Sequence, residues 1–138
     1  MLKPPDPDSF NCDLMCSGSD GEVLIDKSVT KELLELDLNK QARLLSNAKL
    51  WADGRKLTRE QANFSEGRCG GKFNRMLLAI KTHKVRLYGF VARINNKKTM
   101  VIIDIDPAKK QTRADKTVLK RAKNRVREFD ERYGGTYG

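Results

Sequence analysis

The chain has 138 residues, enough for one small domain that buries about 65–70% of its unfolded surface and too few for two ordinary ones. It carries 28 Lys and Arg against 18 Asp and Glu, but the excess is uneven: residues 1–37 are net −6, residues 38–80 net +6 and residues 81–138 net +10. Clustered basic groups attract polyanions, so the second half reads as a surface for a nucleic-acid backbone, with a merely solubilising face as the plain alternative. Three cysteines (Cys12, Cys16, Cys69) and a single histidine (His83) exclude a zinc site of four cysteines or of two cysteines and two histidines, and make a disulfide framework unlikely to be the design. No apolar run approaches the ~18 residues of a membrane span, and residues 1–20 lack a basic stretch followed by an apolar core, so the expectation is a cytoplasmic protein with no membrane partner.

Taken in order, residues 1–9 are rich in Pro and Asp and read as a mobile arm, and the acidic, Pro-rich residues 1–20 as an N-terminal extension. Phe10 to Met15 can extend, and Ser17-Gly18-Ser19-Asp20-Gly21 is turn material before the strand candidate Glu22 to Ile25, which together suggest a marginal hairpin. Ser28 is a candidate cap for a helix carrying Leu33, Leu34 and Leu36, and Asp37 for a second one from Leu38 to about Ala52, with Leu38, Ala42, Leu45, Ala48 and Trp51 as its core stripe. After a polar link containing Gly67, Gly70 and Gly71, three extended segments follow: Phe73 to Ile80, Val85 to Ile94 and Met100 to Ile105. Asn95-Asn96 supplies a turn between the last two and Asp106-Pro107 stops the final strand. Thr112 then caps a helix with Val118, Leu119, Ala122, Val126 and Phe129 on its apolar side, and residues 134–138 form a short tail. The expected fold is α+β: a small antiparallel, partly mixed sheet of about four strands with two N-terminal helices and one C-terminal helix over residues 21–133.

Four strings in this order resemble the RelE/ParE superfamily of toxins, in particular its HigB-like, phage-derived branch. They are Val23-Leu24-Ile25-Asp26 leading into two helices, Val85-Arg86-Leu87-Tyr88-Gly89-Phe90, Ile105-Asp106-Pro107-Ala108-Lys109-Lys110, and Ala114-Asp115 opening a helix with Arg121-Ala122. The resemblance implies a RelE-like fold and a type II toxin that cleaves mRNA, often on the ribosome, without metal or organic cofactor, and that is neutralised by an antitoxin protein covering the basic face. Cleavage by the RNA's own 2′-hydroxyl needs a proton acceptor, cations for the phosphate and an acid for the leaving 5′-oxygen.

Carried over residue by residue, the resemblance makes Arg86 the phosphate-holding arginine and Lys109 and Lys110 the basic pair after the last strand, with Lys110 as second phosphate contact or proton-transfer group. The tyrosine that follows this pair in ribosome-dependent members is missing; the corresponding run is Arg113-Ala114-Asp115. His83 and Tyr88 are the alternative proton-transfer residues. Arg75, Lys84, Arg93, Arg113, Lys116 and Lys120 are the candidate RNA contacts. Competing expectations are a non-enzymatic inhibitor on the same scaffold, such as a gyrase poison, and a nucleic-acid-binding regulator, although no ladder of stacking aromatics is visible. The acidic segment 1–37 is either a solubilising arm or a strap lying over the basic half.

Overall fold

The computed structural model describes residues 7–107 and 115–134. A short 3-10 turn, Pro7–Phe10, leads into strand β1 (Cys12–Ser17), which pairs antiparallel with β2 (Glu22–Asp26). Helices α1 (Lys27–Leu34) and α2 (Leu38–Ala52) follow, then β3 (Ala62–Arg68), β4 (Met76–Thr82), β5 (Val85–Ile94), β6 (Lys97–Asp106) and α3 (Lys116–Tyr133). The six strands form one sheet in the order β1-β2-β6-β5-β4-β3, antiparallel throughout except where β2 runs parallel to β6. The α+β class is as expected, but the sheet has six strands instead of about four, and two strands precede the first helices. No described helix is long and apolar enough to cross a membrane.

Strand alternation gives the sheet two apolar faces, and helices cover both. Val23, Ile25, Leu78, Ile80, Val85, Leu87, Met100 and Ile102 pack with Val29 of α1 and with Leu44, Ala48 and Trp51 of α2. On the other face Leu24, Leu77, Ala79, Tyr88, Phe90 and Val101 pack with Ala122, Val126 and Phe129 of α3. Complete burial of residues on both faces of β5 and β6 makes these the central strands and explains their near-continuous apolar sequence.

The helix caps are carboxylates. Asp26 accepts from the Ser28 amide at 2.8 Å, so the cap of α1 lies two residues before the expected Ser28. Asp37 caps α2 by accepting from the Lys40 amide at 2.9 Å. Asp115 caps α3 through the Thr117 amide at 2.8 Å, while the expected cap Thr112 lies outside the described residues. The buried side of α2 is rotated from the stripe that the spacing suggests: Leu44, Asn47, Ala48, Trp51 and Ala52 face the sheet, whereas Leu38 is 80% exposed. Two leucine rows run side by side along this helix, and periodicity alone does not choose between them.

Three backbone features shape the sheet. The β5–β6 turn places Asn95 and Asn96 at φ 50° and 64°, the mirror-image two-residue turn that asparagine tolerates well. A bulge in β6 lets Tyr88 pair with Asp104 but the next residue, Gly89, with Ile102, leaving Ile103 without a partner on β5. That extra residue turns Asp104 and Asp106 onto the α3 face, where strict alternation from Met100 and Ile102 would have pointed them at α2. Finally, β3 opposes Asn63 to Ala79 and Gly67 to Leu77, so residues 64–66 arch out across from Leu78 alone.

The expected polar link therefore contains an edge strand. It escapes a periodicity reading because Phe64 and Ser65 are exposed in the arch. Phe73 and Asn74, expected in a strand, lie instead in the turn before β4, where Gly71 and Asn74 take φ 75° and 43°. The acidic N-terminal stretch is woven into the fold from residue 7 onward. Asp20 pairs with Lys98 and Glu22 with Lys97 at the start of β6, and Asp8 with Lys27 at the start of α1, so none of the three engages Arg86.

Candidate nucleic-acid interface

Arg86 is the second residue of β5 and lies on the α3 face, between Lys81 of β4 and Asp106 of β6 in the ladder. Its guanidinium is held by the Glu66 carboxylate, which reaches across from the β3 arch, and the two side chains are only 10% and 7% exposed. Nη1 donates to Glu66 Oε1, and the guanidinium also lies against the buried Tyr88 hydroxyl. Its planar fork is of the kind that suits phosphate.

Lys81, directly opposite, is the residue that sequence reasoning missed. Partial burial and the neighbouring Arg86 charge hold its amine below the ordinary lysine value of 10.5, and the Glu66 and Glu60 carboxylates only partly restore it. The hairpin arithmetic contained the signal, since a two-residue turn at His83-Lys84 pairs Thr82 with Val85 and therefore Lys81 with Arg86. Glu66 was out of reach of that arithmetic because its strand was not recognised.

The other expected residues are spread over the molecule. Tyr88, two positions on from Arg86, is fully buried with the Arg86 guanidinium beside its hydroxyl, and burial pushes its phenol well above the ordinary value of 10.0. It is a core residue in this arrangement. His83 and Lys84 form the exposed turn at the end of the β4–β5 hairpin, with Lys84 at φ 60°. Arg75 binds the Asp130 carboxylate of α3 at 3.2 Å and lies 4.6 Å from the Phe73 ring centroid; six residues along β4 from Lys81, it is roughly 20 Å from the Arg86 corner. Arg93 donates to the Asn96 carbonyl at 3.0 Å, at the far end of β5. Lys109, Lys110 and Arg113 lie outside the described residues, which resume at Asp115.

The helix brings a second basic element to the same end. Asp104 is fully buried and accepts from Arg121 Nε at 2.8 Å, Arg121 Nη2 at 2.9 Å and Arg125 Nη1 at 2.8 Å, fastening the first half of α3 over the end of β6. With that side of the helix committed, Lys116, Leu119, Lys120, Lys123, Asn124 and Arg127 line a shallow groove of about 390 Å³ on the side toward β3. Lys123 lies over Gly67, where an added Cβ would stand 2.7 Å from its Nζ, and Arg127 donates to the Cys69 carbonyl. From Lys116 to Arg127 the basic row is about 16 Å long.

The arrangement gathers three kinds of group that phosphodiester chemistry uses: an arginine fork, a lysine amine of lowered pKa, and a carboxylate in contact with the arginine. Compared with protein-family models, with curated proteins and with solved structures, the chain matches none.

Proposed function

We propose that this chain is a toxin of the RelE/ParE kind, with a RelE-like fold, that cleaves mRNA in the cytoplasm by attack of the 2′-hydroxyl and is held in check by an antitoxin protein on its basic face. The observation that carries the reading is Arg86, paired with Glu66 and opposed in the ladder by Lys81, at the end of the sheet where α3 presents Lys116 and Lys120. In this reading Arg86 holds the scissile phosphate and Glu66 accepts the 2′-hydroxyl proton. Lys81 gives a proton to the leaving 5′-oxygen, the place first assigned to His83 or Tyr88. The products are a 2′,3′-cyclic phosphate and a free 5′-hydroxyl, so no water is consumed in the cutting step. Lys109 and Lys110 remain in the proposal as further phosphate contacts.

Induced expression of the wild type beside Lys81→Met and Lys110→Ala tests it. The wild type should arrest growth with mRNA cut, and both variants should relieve the arrest. Cleavage by the purified protein should persist in EDTA. Growth arrest with mRNA intact would sink the nuclease reading.

That outcome would favour a second reading, a non-enzymatic inhibitor or binding module on the same scaffold. The burial of Arg86 against Glu66 is the specific observation behind it, because such a pair also staples β3 to β5 with no chemistry required.

A further inference from the structure

Phe64 is 42% exposed at the middle of the β3 arch. It belongs to neither apolar cluster of the sheet and has no ring or cation contact among the described residues. A single exposed apolar side chain is ordinary on a protein surface, so the weight lies on where this ring sits.

The arch around it is a built feature. Two more residues lie between Asn63 and Gly67 than between their partners Ala79 and Leu77, and the Ser65 amide donates to Asn63 Oδ1 at 3.1 Å, closing a local turn across the bulge. Bulges of this kind re-aim side chains beside binding sites. The same arch delivers Glu66 to Arg86, so Phe64 stands within about 7 Å of backbone from the carboxylate that touches the guanidinium. Lys123 lies over Gly67 at the end of the arch, and Lys81 is the ladder partner of Arg86.

An exposed ring on the arch that also carries the partner of Arg86, with Lys123 over Gly67 at the arch's end, suits an unpaired nucleobase whose own phosphate is taken by the cations. We propose that Phe64 is a stacking platform for the base adjoining the phosphate at Arg86, so that the strand bound here is single-stranded RNA with that base unstacked from its neighbours. The inference rests on the nucleic-acid reading above and adds the form of the substrate. Stacking is tolerant of base identity, so the platform fixes the position of the strand and not its sequence.

The test measures binding of the purified full chain to a fluorescent single-stranded RNA oligonucleotide carrying 2′-O-methyl groups, which block cleavage, and to an abasic strand of equal length. Phe64→Ala and Phe64→Leu should weaken binding to the base-bearing strand roughly 5- to 150-fold, and Phe64→Trp should retain it. On the abasic strand all four proteins should bind alike, because the phosphate contacts are unchanged. Thermal melting of each variant, expected within a few degrees of the wild type for an exposed position, separates lost stacking from lost fold. If Phe64→Ala binds the base-bearing strand as tightly as the wild type, the platform is wrong while the nucleic-acid reading survives, and a protein contact becomes the explanation for the ring. A wild type that binds neither strand overturns both.

Discussion

Replacing Arg86 by alanine removes one half of an ion pair whose side chains are 10% and 7% exposed, and leaves the buried Glu66 carboxylate without its direct partner, with only the more distant Lys81 amine as counter-charge. Breaking such a pair from one side costs about 3–5 kcal/mol, most of it the unrelieved desolvation of the survivor. For a chain of this size that corresponds to a fall of roughly 10–20 °C in melting temperature. A double variant, Glu66→Gln with Arg86→Met, has no buried charge to strand and should recover most of the loss, to within about 1–2 kcal/mol of the wild type. Melts followed by circular dichroism on the wild type, both singles and the double form a thermodynamic cycle whose coupling term isolates the pair. The assay also separates structure from chemistry: a double variant that melts like the wild type yet leaves mRNA intact has lost function without losing fold. An Arg86→Ala protein that melts within about 2 °C of the wild type would refute the reasoning, since a buried carboxylate cannot lose its counter-ion so cheaply.

Asp104→Asn should cost about 1.5–3 kcal/mol by weakening the charge-assisted bonds to Arg121 and Arg125, and limited proteolysis should then cut first within α3. Lys81 gives a pH signature. Between its lowered pKa and 10.5 the unfolded chain holds a proton that the folded chain has released, so stability rises with pH in that window, and Lys81→Met should abolish the rise. If the same amine is the acid, cleavage should decline as pH rises through that lowered value, and Lys81→Met should flatten the decline. Cys12 is fully buried and its thiol is pushed up to about 12, so maleimide at neutral pH should modify the half-buried Cys16 first and reach Cys12 only on unfolding, as peptide mass spectrometry would read.

Helix α2 and strand β5 were legible because local chemistry marks them: Asp37 and Gly54 bracket the one, and a run of large apolar residues closed by Asn95-Asn96 makes the other. Strand β3 was not, since an edge strand has one partner, and an arch with Phe64 and Ser65 in water erases the alternation that reveals strands. The facing of Asp104 and Asp106 depends on one extra residue in β6, a tertiary decision with no signature in the order of amino acids. The same limits governed the site. Arg86 was singled out by the resemblance its strand carries, and Lys81 was derivable from hairpin register, but Glu66 sits on the element that was not seen. Asp104, which anchors α3 over the end of the sheet, became recognisable only with both of its arginines in view.

The parallel pairing of β2 with β6 joins segments far apart in the chain, as the Glu22–Lys97 ion pair across 75 positions illustrates. During synthesis the N-terminal hairpin has no sheet to enter until β6 has left the ribosome, because β6 alone connects it to β5. The contiguous β3–β6 meander can assemble first, and the β1–β2 hairpin then closes the edge as a late, slow event. The N-terminal hairpin is therefore made first and seated last, so the order of synthesis and the order of pairing run opposite ways in this sheet.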